Sequence, residues 1–421
     1  MKKILAAGIS ALCAAVAFAG GIENKTNMSA GYLRNPSRNT ECKRPDAAFY
    51  NIAGTAFLKD GLYIEIGNQF IKKEYKNEIN DGSLTMMALG LNGKSYNDET
   101  FVYLYPNADI VFKHNNWAAF ANFGIYAGGG RLEYSEGTSA TTLGFASKIA
   151  SDPANAATYK ALMAKHSLTV TSITYGWEAG GSFSIADFIA LGAALRITYG
   201  TQDLELAMIG LTPAGYNASA LGFSGLFGVH VKPTDRLDIA GQFAWRSKME
   251  YEVKNLKNAE AAKGFGIYEG KTFRTDLAPV LNTGVGYQIL DPLYVSTSFN
   301  LYFNGLATMN SVLTTADYDP SFEIALGADY DINQMFTVST GVAYGKQGVA
   351  KDANNVFNPV LDSFQIGAGV EVHPVEPLTI TGGATWVKYF EKDYNIGGYN
   401  ITLSKPILLM FSLGATYRLP L

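Results

Sequence analysis

Apolar side chains at every second position, in stretches of about ten residues that recur from residue 60 onward, limit the fold of this chain more tightly than any other feature. In the clearest stretch Leu237, Ile239, Gly241, Phe243, Trp245, Ser247, Met249, Tyr251 and Val253 share one face. Asp238, Ala240, Gln242, Ala244, Arg246, Lys248, Glu250 and Glu252 share the other. A period of two is that of a β-strand, with one greasy and one wet face. The same alternation runs through Leu293 to Asn304 and through Leu409 to Leu419. Beyond the N-terminus no uncharged apolar run reaches the roughly 18 residues that a membrane helix needs. Yet only 17% of residues are charged and mean hydropathy is +0.03. A chain that is apolar on average but never for long reads as alternating strands facing lipid. In a soluble sandwich the apolar face would be inside, and the opposite faces here carry too many charges and glycines to serve as a solvent skin alone.

Candidate strands centre near residues 68, 110, 121, 174, 195, 226, 245, 284, 298, 325, 341, 368, 384 and 412. Their even number suits a closed barrel, and closure is what hydrocarbon demands, since an open edge leaves backbone groups unpaired. Short polar turns at 232–236, 291–292, 331–334 and 373–377 alternate with long connections such as 76–99, 131–166 and 254–277. The expected fold is all-β, a 14-stranded antiparallel transmembrane β-barrel over 60–421. Residues 20–59 do not alternate; their aromatic and small residues predict a hatch that plugs the lumen. Residues 1–19, with Lys2 and Lys3 before an apolar run and Ala17-Phe18-Ala19 before Gly20, read as an export signal, which places the protein in an outer membrane.

Charge and cysteine content remove several other functions. Net charge is −4, and −6 without the signal, so there is no basic excess to attract nucleic acid. Cys42 is then the one cysteine, so neither an internal disulfide nor a thiol-based metal site is expected. His114, His166, His230 and His373 show no ligand spacing, Gly270-Lys271-Thr272 lacks the earlier glycine of a phosphate loop, and Gln334 replaces the turn glycine that a calcium loop would need after Asp329, Asp331 and Asn333. No catalytic residue, metal or cofactor is expected; a barrel hydrolase with a serine–histidine pair brought together in space is the enzymatic alternative.

Tyr32-Leu33-Arg34, Ser37-Arg38-Asn39-Thr40, Asp46-Ala47-Ala48-Phe49-Tyr50-Asn51-Ile52-Ala53-Gly54 and Asp60-Gly61-Leu62 together resemble the hatch signature of the FadL/TodX-type outer-membrane transporters of long-chain fatty acids and aromatic hydrocarbons. Lys232-Pro233-Thr234-Asp235-Arg236-Leu237 with Trp245-Arg246-Ser247, and Leu277-Ala278-Pro279 with Gly284-Val285-Gly286-Tyr287, extend the resemblance over nearly the whole mature chain. Two positions depart from the family pattern: Ile52 stands where Asn-Pro-Ala-Gly has proline, and the chain ends in Leu421 rather than an aromatic residue. The resemblance implies a passive channel, acting as a monomer amid outer-membrane lipid, that captures a hydrophobic small molecule outside and releases it sideways through the wall. A long-chain fatty acid is the expected cargo. A general porin or structural barrel is the alternative.

Three sets of residues are candidates for transport. Asp152-Pro153 starts a helix in the 131–166 loop as N-cap and first residue, and Tyr159, Leu162 and Met163 fall on one face of it, either packed on the loop or lining the external groove that the resemblance implies. Gly128, Gly129 and Gly130 follow a third strand whose alternation is irregular. They either begin a loop or let the wall bend open at the lateral gate that the resemblance implies. Arg196, Arg246 and Lys248 fall by parity on the wet face, where they either balance Glu250 and Glu252 or meet a substrate carboxylate.

Overall fold

The computed structural model describes residues 25–421 apart from 209, 211, 260–261, 263–266, 311–317, 349–355, 357–358 and 397; the expected export signal lies outside the described residues. The wall consists of fourteen antiparallel strands. They are β1 (Gly61–Ile79), β2 (Pro106–His114), β3 (Trp117–Tyr134), β4 (His166–Ala186), β5 (Ile189–Met208), β6 (Ala214–Thr234) and β7 (Leu237–Ala244), then β8 (Val280–Leu290), β9 (Leu293–Tyr302), β10 (Ser321–Asp331), β11 (Phe336–Lys346), β12 (Ser363–Val375), β13 (Leu378–Tyr389) and β14 (Leu408–Leu419). Each pairs with the next, and β14 returns to β1 from Leu62↔Leu419 to Lys73↔Leu408, which closes the sheet. Asn115-Asn116, Asp187-Phe188, Asp235-Arg236, Asp291-Pro292 and Glu376-Pro377 make tight turns at one end. The long connections gather at the other, where short strands such as Ser95–Val102 on β1 and Glu250–Lys257 on β6 extend the wall.

The faces are inverted relative to a soluble protein. Ile64 and Ile66 are 41% and 62% exposed while Glu65 between them is buried. Leu195, Ile197, Leu221, Phe223, Leu326 and Phe411 likewise point outward, and Arg196, Gln242, Asn300 and Glu371 point inward. That arrangement costs nothing in hydrocarbon and needs polar company inside.

The hatch supplies the company. Residues 25–60 fill the lumen as a helical turn Ala30–Arg34, a helical turn Ala47–Tyr50 and a 3-10 turn Ile52–Phe57. Arg34, fully buried, reaches Asp329 Oδ1 at 2.7 Å and Glu371 Oε1 at 3.0 Å on the wall. Arg44 pairs with the same Glu371. Arg38 stays within the hatch, bridging Glu41 at 2.6 Å and Asp46 at 2.7 Å. Burying these charges is tolerable only because each is paired; removing one partner typically costs about 3–5 kcal/mol.

One sequence expectation changes. The stretch 237–253 is not one strand: β7 ends at Ala244, the chain leaves the ladder at 245–249, and pairing resumes at Glu250. From Ala244, opposite Leu226, to Glu252, opposite Ser219, the chain takes eight steps against seven on β6. One extra residue turns every later side chain to the other face. Met249, Tyr251 and Val253 are therefore buried inside, and Lys248, which parity placed in the lumen, is outside and 3.1 Å from Glu250. Arg246 lies in the interruption and donates to the Leu306 carbonyl on an exposed surface. In the long loop, Asp152 and Pro153 do start a helical segment, a 3-10 turn Pro153–Asn155 followed by a helix Ala156–Ala164. A second helix, Ser139–Ser151, precedes it behind a Thr138/Thr141 capping box.

Candidate functional site

Gly128 and Gly130 bend the wall. Their φ values are +97° and +76°, in the region that favours glycine, and the β3–β4 register slips between Ile125 and Ala127 and again between Ala127 and Gly130. Gly129 lies between them. On its other side, β3 pairs with β2 only from Trp117↔His114 to Phe123↔Ala108. Above Phe123 the seam is crossed by side chains: Tyr105 Oη donates to the Ile125 carbonyl at 2.9 Å, and Glu133 N–H donates to Asp98 Oδ1 at 2.7 Å. The hatch contributes from within, Lys25 N–H donating to the Tyr126 carbonyl at 2.9 Å. Thus the Ile125 and Tyr126 carbonyls find donors without a neighbouring strand, as hydrocarbon demands. Outside the seam Tyr103 and Leu104 are 72% and 71% exposed.

Behind the seam lies a cavity of about 210 Å³, lined by the hatch (Thr26, Asn27, Tyr32), by Ile71, Lys73 and Tyr75 of β1, by Tyr105, Gly128 and Gly130, and by Val387, Leu408 and Met410. Leu104 also lines it, so the cavity communicates with the outer apolar surface. The lining mixes apolar side chains with polar ones, among them the buried cation Lys73; a second buried cation, Lys405, stands beside Tyr75 and Tyr389, which line the cavity. Lys73 Nζ lies 5.2 Å from the centre of the Tyr75 ring and about 3.6 Å from where a Cβ on Gly130 would sit. Lys405 Nζ lies 4.9 Å from the same ring and 4.8 Å from that of Tyr389. Both ammonium groups thus meet the Tyr75 ring. Glu323, hydrogen-bonded to Asn300 at 3.2 Å, is an acid on the far lining.

Of the residues singled out from sequence, Gly128 and Gly130 line this cavity. Arg196 does face the lumen, but it is held by Glu178 at 2.5 Å over the Tyr126 ring at 4.8 Å, in a smaller neighbouring cavity. Arg246 and Lys248 are remote from it for the reason given above. Tyr159 and Leu162 are buried: Tyr159 Oη donates to Asp152 Oδ2 at 3.1 Å and Leu162, with Met163 against it, joins the apolar core of the outer loops. Leu162 and Met163 are thus packed into a core shared with other loops and do not line an open groove. Lys73, Tyr75, Tyr105 and Lys405 were missed. Parity along β1 could have found the first two, since Glu65, Gln69, Ile71, Lys73 and Tyr75 share its inner face. Nothing local marks Lys405 or Tyr105, which lie outside regular strands.

At the hatch bend, Phe49 to Gly54, the missing proline is replaced by hydrogen bonds. Asn51 Oδ1 accepts from Gly54 N–H at 3.2 Å and its Nδ2 donates to the Glu41 carbonyl at 3.0 Å. Gln242 of β7 accepts from Ile52 N–H at 2.9 Å and donates to the Phe49 carbonyl at 3.0 Å. Ala53 is fully buried beside them.

No family model and no curated protein matches this sequence. Solved structures do match in fold. A FadL homologue of Pseudomonas aeruginosa superposes with a TM-score of 0.68 at 17% identity, over 95% of this chain and 99% of that one. The Pseudomonas putida toluene transporter TodX gives 0.64 at 12% identity over 95% and 100%. CymD, a monoaromatic hydrocarbon channel, gives 0.57 at 9% identity over 94% and 100%. The plugged fourteen-stranded barrel is thus the fold of these channels.

Proposed function

We propose that this protein is an outer-membrane channel of the FadL/TodX type which passes a long-chain fatty acid from the lumen sideways into the membrane through the seam between β2 and β3. The observation that carries this reading is the cavity behind the Gly128–Gly130 bulge, where Ile71, Val387, Leu408 and Met410 offer an apolar wall, Lys73 lines it as a cation and Lys405 stands behind the Tyr75 ring. Each methylene taken from water stabilises by roughly 0.8 kcal/mol, so an acyl chain needs little more than such a wall. A carboxylate needs a cation out of bulk water, and Lys73 and Lys405 take the place that Arg246 does not reach. The cavity is smaller than the roughly 300 Å³ common for drug-sized ligands. A long chain therefore extends through the seam, or enters as the hatch shifts.

Uptake tests the reading. In cells lacking other fatty-acid channels, the wild-type protein should support uptake of labelled oleate. Lys73→Ala should lower oleate binding by about tenfold, one charge-assisted contact, and leave binding of a neutral hydrocarbon of similar length unchanged. Toluene uptake with no oleate uptake would instead favour an aromatic cargo such as that of the toluene transporter TodX and the monoaromatic hydrocarbon channel CymD, for which the rings of Tyr32, Tyr75 and Tyr389 would suffice.

A further inference from the structure

Among the described residues one group of three metal-ligating side chains converges, away from the cavity and at the joint between hatch and wall: Cys42 of the hatch, His230 of β6 and Asp238 of β7. All three are buried, and their ligand atoms lie within 4.8 Å of one another. Some point therefore lies within about 2.8 Å of all three, that limit divided by the square root of three. Zinc sits at about 2.3 Å from sulfur and about 2.0–2.2 Å from nitrogen or oxygen, so shifts of at most about 0.5–0.8 Å suffice. The measured pairs agree: His230 Nε2 is 2.9 Å and Cys42 Sγ 3.9 Å from Asp238 Oδ1. An outer partner holds one ligand in place, Tyr294 Oη donating to Asp238 Oδ2 at 3.0 Å, while Asn51 Nδ2 meets His230 Nδ1 at 2.7 Å. A cavity of about 470 Å³ at the short-turn end, lined by Cys42, Phe57 and Lys232 among others, gives a way in.

We propose that Cys42, His230 and Asp238 form a binding site for a zinc-like divalent cation that ties the hatch to the wall. Sulfur, imidazole and carboxylate together suit that borderline class better than magnesium or calcium, which take oxygen alone. Lys232 opposes the ion, its Nζ 3.7 Å from Asp238 Oδ1, and must swing from the Phe57 ring toward the adjoining cavity.

Binding has a structural consequence. Asn51 Nδ2 is a donor, fixed as such by its bond to the Glu41 carbonyl, so His230 Nδ1 accepts and Nε2 carries the proton toward Asp238. A metal on Nε2 moves the ring proton to Nδ1, which then faces another N–H. Asn51 must turn its amide round and give up Gly54 N–H and the Glu41 carbonyl, the bonds that cap the hatch bend. Loading thus exchanges one anchor of the hatch, at Asn51, for another at Cys42.

Cobalt(II) titrated into the purified full chain in detergent reports the site, because a thiolate ligand gives a charge-transfer band. The expected result is one cobalt per chain with that band, displaced by zinc, lost in Cys42→Ser, and weakened at least about tenfold in Asp238→Asn. Asn51→Asp, which offers the Nδ1 proton an acceptor, should tighten binding. Heat-modifiable gel mobility shows which variants hold a closed barrel, and Asp238→Asn keeps the shape of the site should Cys42→Ser not fold. A band that persists in Cys42→Ser, or no band in the wild type and in Asn51→Asp alike, overturns the proposal.

Discussion

Gln242 grips the backbone at Ile52: its side-chain carbonyl accepts the Ile52 N–H at 2.9 Å while its amide donates to the Phe49 carbonyl at 3.0 Å, so one wall residue spans the hatch bend. A proline at position 52 would offer no N–H, and the first grip could not form. Gln242→Ala leaves two buried backbone groups unpaired, at about 1–3 kcal/mol each. Ile52→Pro loses one bond but gains stiffness worth about 0.4–1 kcal/mol, and Ile52 is the first residue of its 3-10 turn, where proline is welcome. Urea unfolding in micelles should find Gln242→Ala clearly destabilising and Ile52→Pro near neutral. In a double-mutant cycle Gln242→Ala should cost less in the Ile52→Pro background, by about one hydrogen bond, and full additivity would show that the grip on Ile52 contributes nothing.

Deleting residues 24–56 should raise single-channel conductance in planar bilayers several-fold. Arg34, fully buried against Asp329 and Glu371, shows how completely the hatch occupies the lumen. Without it the inner face, with Glu65, Asp109 and Glu178 turned inward, lines a wet pore. A large conductance in the intact protein would favour the general-porin alternative.

How much of this was legible in the sequence follows from what periodicity can carry. Ile64-Glu65-Ile66 announces a lipid face, a lumen face and a lipid face, and thirteen of the fourteen expected centres lie inside wall strands. The exception, 245, lies one residue beyond β7. The error that followed was larger than one residue, since parity has no memory of an insertion: the extra residue opposite Leu226–Ser219 sent Lys248 outside. Glycine was readable at Gly128 to Gly130 because a bend needs it. The pairings that satisfy that bend, Tyr105 to Ile125 and Lys25 to Tyr126, join residues 20 and 101 apart, which no local pattern encodes. The same holds for Cys42, 196 residues before Asp238, although His230 and Asp238 share one hairpin.

Cys42 should resist alkylation. Burial pushes its thiol up to about 12, with Asp238 and Glu41 adding to the effect and Lys232 opposing it. A thiol raised in this way is neutral at pH 8, and only thiolate reacts. Iodoacetamide at pH 8 should label the unfolded chain at once and the folded barrel slowly, and the contribution of this thiol to stability should fall as pH rises from 9.0 toward 12. Equal labelling of both states would mean that the hatch leaves the joint freely.

The seam gives the last prediction. A Cβ on Gly128 would stand 2.3 Å from the Ser172 carbonyl oxygen, and φ there is +97°, so Gly128→Val must rebuild the bulge toward regular strand. Regular pairing would close the opening beside Tyr105. Labelled oleate should then still bind at the cell surface but no longer enter, while Tyr105→Phe, which removes only the hydroxyl that crosses to the Ile125 carbonyl, should pass oleate at least as fast as wild type. The two variants push the seam in opposite directions, so a shared loss of barrel folding cannot mimic the pattern. Normal uptake by Gly128→Val in a correctly inserted barrel would place the exit elsewhere, and loss of uptake in Tyr105→Phe would make the hydroxyl part of the path rather than its latch.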